Sequence, residues 1–115
     1  MPDVLNKNEL LDKVFGDVDL LIEIVDMFLE LSPNMLNDID HAIKARDAKG
    51  LSETAHTFKG SIGNFAQGYA FEAALELEKM GKSCELDKSS EAFKKLKQEV
   101  AVLEEALKSL KSETL

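Results

Sequence analysis

The chain has 115 residues, 44% of them hydrophobic and 31% charged, which suits one globular domain with a core of its own. A formal net charge of −8 excludes a general electrostatic grip on nucleic acid or on an anionic membrane, since both need basic surface. One cysteine, Cys84, excludes an internal disulfide and a cysteine-based zinc site.

Two prolines and the absence of strand-like alternation point to an all-α fold. The opening MPDVLNKNE lacks the basic and apolar regions of a signal peptide, and no apolar run reaches membrane-spanning length. The expectation is a cytoplasmic protein.

Asn6 or Asn8 caps a short first helix through Phe15, which Gly16 ends. Asp17 caps a second helix with Leu21, Ile24, Phe28 and Leu31 at helical spacing. Ser32 before Pro33 reads as a new helix start, giving a third helix to about Ala48 that buries Met35 or Leu36, Ile39 and Ile43. The apolar spacing also passes through Pro33 almost in register, so one long rod is the alternative. Gly50 precedes a fourth helix, and Gln67 and Gly68 make the next break. A fifth helix from about Tyr69 to Lys82 carries Ala70, Ala73 and Ala74, small enough for close helix approach. The segment GKSCELDKSS is polar and turn-like. The last helix starts near Ser89 or Ser90. Its Phe93, Leu96, Val100, Leu103, Leu107 and Leu110 recur three and four apart as a bundle seam, with a polar tail from about residue 111. The expected fold is a single domain over 1–115, an antiparallel four-helix bundle with short accessory helices on its N-terminal side.

The fourth helix carries AHTFKGSIGNF, from Ala55 to Phe65, with two glycines that each cost about 1 kcal/mol relative to alanine in a helix interior. At about 100° per residue, Leu51, Ala55, Phe58, Ile62 and Phe65 form the core stripe, and His56 lies about 140° from its centre. Ser52, Lys59, Gly60 and Gly63 share the face of His56. No packing requirement for the glycines is evident, so they read as clearance for a bulky partner approaching the ring. A solvated imidazole titrates at about 6.5, so at neutral pH it is mostly an unprotonated nucleophile. A phosphoryl group placed on it would bring about two negative charges, which Lys59 is placed to offset.

This run resembles the signature of histidine-containing phosphotransfer (HPt) domains: a histidine, a lysine three on, a glycine four on and a small residue next. Ala74, Leu77 and Glu78 in EAALELEKMG resemble the family's following helix. The resemblance implies a phosphorelay carrier for two-component signalling, with His56 as phosphoryl acceptor and Lys59 as charge compensation; the sequence leaves the accepting ring nitrogen open, and the resemblance favours Nε2. It implies a receiver-docking surface of Ser52, Gly60, Gly63, Asn64 and Gln67. The partners implied are response-regulator receiver domains and a sensor or hybrid histidine kinase. It further implies a carrier with no cofactor of its own that acts as a monomer, with the Mg²⁺ site on the receiver.

Rival readings are weaker. Alone, His56 would be an ordinary solvated histidine, but Lys59, Gly60 and Gly63 surround it; His41 has no such setting. Asp38 with His41 and Glu53 with His56 have the acid-to-histidine spacing of a carboxylate–histidine metal bundle, yet both histidines turn away from the core. Gly60 to Gly63 matches the GXXG form of a nucleic-acid clamp, which needs strands and a less acidic chain. Gly81, Lys82 and Ser83 imitate the end of a phosphate-binding loop, but Glu76 stands where its first glycine must be. Without a nucleotide site, autonomous kinase activity is not expected. A helical adaptor using the last helix leaves the exposed glycines without a purpose.

Overall fold

The computed structural model describes residues 5–114. Residues 1–4, which open the stretch read for a signal peptide, and residue 115 lie outside the described residues. Every regular element among the described residues is a helix. Helix α1 spans Lys7–Lys13, with the Asn6 side chain accepting the Glu9 N–H at 3.1 Å. It stops short of Phe15 because Phe15 and Gly16 both take left-handed φ, 56° and 77°.

Helix α2 spans Val18–Lys44 and starts where Asp17 accepts the Leu20 N–H at 3.1 Å. It runs through Pro33 without a break, so the helix start read at Ser32 is not one. An interior proline costs about 3 kcal/mol through its lost N–H bond. Here the stripe of Leu21, Val25, Phe28 and Ser32 continues into Ile39, Ala42 and Ile43, and burying apolar groups on both sides of the proline offsets that cost. Ser32 is therefore a buried interior residue rather than a cap. Ile24 is half-buried and Leu31 exposed, although both keep helical spacing with the buried Leu21 and Phe28.

Helix α3 spans Ala48–Gly63 and α4 spans Tyr69–Ser83. Asp47 caps α3 by accepting the Gly50 N–H at 2.9 Å, so Gly50 belongs to its first turn instead of separating two helices. Helix α5 spans Ser89–Thr114, and the expected polar tail is helical through residue 114. The four long helices pack in the cyclic order α2, α3, α4, α5, with α1 lying against α2. Short connections make successive members antiparallel.

The stripe of α3 is the centre of the core: Leu51, Ala55, Phe58 and Ile62 are fully enclosed. Phe28 stacks on Phe58 with centroids 6.0 Å apart and meets Phe65 edge-on at 5.3 Å. All six seam residues of α5 are buried. With the core side of α3 committed in this way, its opposite face is left to solvent and to α4.

Packing is less complete where α1, α2 and the end of α3 meet. An open cleft of about 400 Å³ lies there, walled by Leu10, Ile24, Met27, Leu31 and Met35, with Ser61 and Asn64 on its α3 side.

Candidate functional site

Helices α3 and α4 approach closely at both ends of their contact. A Cβ on Gly81 of α4 would stand 2.5 Å from the Ser52 nitrogen and 2.7 Å from the Ala48 carbonyl oxygen, both backbone atoms of α3. At the other end, a Cβ on Gly63 of α3 would stand 3.2 Å from the Phe71 ring of α4. Between these contacts lies Glu78, whose side chain is only 3% exposed.

Three nitrogen groups converge on that carboxylate. His56 Nδ1 lies 3.0 Å from Oε2, Lys82 Nζ lies 3.0 Å from the same oxygen, and Lys59 Nζ lies 2.7 Å from Oε1. No aligned hydrogen bond reaches Oε1, so the Lys59 ion pair is what compensates it. Burial raises the Glu78 pKa, but the contacts from Lys59, Lys82 and His56 outweigh it and hold the group at about 2, below its ordinary 4.5. Glu78 is therefore an ionised, acceptor-only carboxylate at neutral pH.

That fixes the imidazole. An acceptor-only carboxylate at 3.0 Å requires the hydrogen on Nδ1, which puts the lone pair of the neutral ring on Nε2. The His56 side chain is 67% exposed, so the ring offers a nucleophilic nitrogen to an incoming group.

The surroundings of His56 differ in part from expectation. Gly60 is exposed, and a Cβ there would meet nothing within 4 Å. Gly63, by contrast, does meet a packing requirement, because Phe71 occupies the space a side chain would need. Lys59 is not a free surface cation: it is 19% exposed, engaged by Glu78, with its ammonium 5.9 Å from the centre of the Phe71 ring. Ser52 is half-buried beside Gly81, while Asn64 and Gln67 are exposed. Asn64 also accepts Lys13 Nζ through its carbonyl at 3.4 Å. His41 is exposed near the end of α2.

The sequence reading gave no role to Glu78, Lys82, Phe71 or Gly81. One signal was available for Glu78. It falls within the stripe Ala70, Ala73, Ala74, Leu77 and Gly81 that α4 buries, and a carboxylate on a buried stripe demands cationic partners. Lys82, one turn on, was the local candidate.

The molecule is thus a helical bundle that displays one histidine over a buried, cation-paired carboxylate. The sequence matches the Hpt domain over residues 23–110, most of the chain, and the protein belongs to that family. In structure it is similar to histidine-containing phosphotransfer protein B (HptB) of Pseudomonas aeruginosa, with a TM-score of 0.85 and 25% sequence identity over 95% of each chain. No curated protein matches the sequence. No helix among the described residues is long and apolar enough to cross a membrane.

Proposed function

We propose that the protein is a phosphorelay carrier in which His56 Nε2 accepts a phosphoryl group and exchanges it with the aspartate of a response-regulator receiver domain. The observation that carries this reading is the Glu78 contact at His56 Nδ1, which leaves Nε2 as the free nucleophile on an exposed face. In the forward step the Nε2 lone pair attacks the phosphorus of an aspartyl phosphate. The N–P bond forms, the P–O bond to the acyl group breaks, and the aspartate leaves as a carboxylate. The product is an Nε2-phosphorylated imidazolium whose Nδ1–H still donates to Glu78. The buried carboxylate stabilises the ring charge that appears, and the same proton makes the imidazole a neutral leaving group in the reverse step. Lys59 and Lys82, each ion-paired with Glu78 in the same cluster, are the cations assigned to offset the phosphoryl charge.

The receiver brings its own Mg²⁺, and a sensor or hybrid histidine kinase is the alternative donor. A partner that buries about 800 Å² of this protein has a footprint wider than the histidine. Asn64 lies about 12 Å along the α3 axis from His56. Such a footprint takes in Ser52, Gly60, Gly63 and Gln67 and reaches the α1–α2 cleft that Asn64 borders.

The test is phosphorylation by a panel of phosphorylated receiver domains. The expected outcome is an acid-labile, base-stable phosphoryl group on the wild-type protein, none on His56→Gln, and normal acceptance by His41→Gln. Acceptance by His56→Gln would refute the assignment. His56→Gln should still fold, with a stability loss of about 1 kcal/mol, because the ring's bond to the buried Glu78 carboxylate is lost while Lys59 and Lys82 stay on it.

A further inference from the structure

We infer that Gly81 is a positioning residue for His56, acting through Glu78: its missing side chain sets the α3–α4 spacing that holds the carboxylate against Nδ1. This rests on His56 as the reacting group. The contacts a Cβ would make at Gly81 are with the α3 backbone, at 2.5 Å to Ser52 N, 2.7 Å to Ala48 O and 2.9 Å to Ser52 Cα. A flexible side chain could swing aside, whereas helix backbone cannot, so any residue other than glycine must move one helix relative to the other. Glu78 precedes Gly81 by three residues and His56 follows Ser52 by four, so the two contacts lie about one turn apart on the same seam. Displacement at Gly81 is thereby transmitted to the 3.0 Å contact between Nδ1 and Oε2. The far end of the seam offers no compensating slack, because Phe71 already fills the space beside Gly63.

Lengthening that contact has a chemical consequence that loss of packing elsewhere would not have. Without a close acceptor the proton no longer prefers Nδ1, and the fraction of ring with its lone pair on Nε2 falls. Gly81→Ala should therefore change the state of the imidazole before any partner is present. Gly60 serves as the control for the ring state alone, since it also lies on the docking face: it is on α3, one turn from His56, yet a Cβ there meets nothing.

The experiment is ¹⁵N NMR of the His56 ring in its neutral form in the wild type, Gly81→Ala, Glu78→Ala and Gly60→Ala proteins, with transfer rates of the wild type and Gly81→Ala from one phosphorylated receiver measured in parallel. The expected result is an Nδ1-protonated ring in the wild type and in Gly60→Ala, and a shift toward the other tautomer in Gly81→Ala. Transfer should slow by about tenfold to a hundredfold, as expected for a misplaced reacting group. In the Glu78→Ala background, where no acceptor is left at this position, Gly81→Ala should add little to the change in ring shifts, since both act through one contact. If Gly81→Ala alone is too unstable to study, the same comparison is made in the Gly60→Ala background. A folded Gly81→Ala protein with wild-type ring shifts would overturn the inference. So would failure to fold in the stabilised background, which would make Gly81 a determinant of the fold and not of the site. The ring shifts are read without phosphoryl donor, so they stand apart from the outcome with His56→Gln.

Discussion

Along the α3–α4 seam, glycines at both ends bring the helices together and a charged cluster is enclosed between them, with every nitrogen group directed at one carboxylate. Around the α1–α2 cleft the composition is reversed. Apolar side chains predominate, yet they are left open: Met27 and Leu31 are exposed, and Phe15 at the adjoining turn is 98% exposed. Burial normally selects apolar residues and leaves charges in water. Its inversion in these two regions separates their tasks. A buried ion cluster fixes the direction of a reactive group, whereas an open apolar surface gains free energy only when another molecule covers it.

The cluster should show the larger effect when perturbed, and acid is the direct probe. Glu78 has a folded-state pKa of about 2 against an ordinary 4.5. A depressed carboxylate stabilises the fold fully above its unfolded pKa and loses that contribution as pH falls through the folded value. The contribution is on the order of 3 kcal/mol, present above pH ~4.5 and lost progressively toward pH ~2. Denaturant unfolding across that window should show this loss in the wild type. Glu78→Gln, which cannot titrate, should show a shallower acid dependence. Parallel curves for the two proteins would mean that the cluster contributes no pH-dependent stability and that the contrast between the regions is only one of composition.

Much of the first region was legible in the sequence, but its wiring was not. Periodicity placed Leu51, Ala55, Phe58 and Ile62 in the core and so placed His56 outside it, because both follow from the turn angle of a single helix. The partner of Lys59 depends on how two helices meet, and a one-helix projection shows a lysine beside a histidine without the carboxylate that engages both. At Ser32 and Pro33 the sequence leaves a new helix start and one continuous rod both open, for a related reason. Their local preference for a helix start is real, but tertiary burial along α2 overrides it. In sequence Phe15 reads as the last residue of a helix, whereas its left-handed φ and full exposure depend on the turn into α2.

The cleft can be tested where it departs furthest from the seam. Phe15→Ala removes an aromatic side chain that touches almost nothing in the free protein, so stability should change by no more than about 0.5 kcal/mol. If a receiver covers this surface, its affinity should fall by about 1–2 kcal/mol, while the fully bound transfer rate stays near normal. Titration calorimetry with a receiver and single-turnover transfer would separate the two. Unchanged affinity would remove Phe15 from the docking surface and confine the footprint to α3.

The smallest effect compares two glycines that look equivalent in sequence, Gly60 and Gly63, three residues apart on one helix. Alanine at either position removes the backbone-entropy cost of glycine in a helix, worth about 0.5–1 kcal/mol. At Gly60 that gain should be realised in full, because the added Cβ meets open space. At Gly63 the Cβ would stand 3.2 Å and 3.4 Å from two carbons of the Phe71 ring, so the ring must yield by a few tenths of an ångström. Phe71 is half-buried and packs near the Lys59 ammonium, which limits how far it can move without disturbing the Glu78 cluster. The strain of overpacking therefore opposes the propensity gain, and Gly63→Ala should be less stable than Gly60→Ala by about 1 kcal/mol or slightly more. Thermal unfolding of the two variants under identical conditions measures this difference. Equal gains at both positions would show that the seam relaxes at its Phe71 end. The tight side of the molecule would then be rigid only around Gly81.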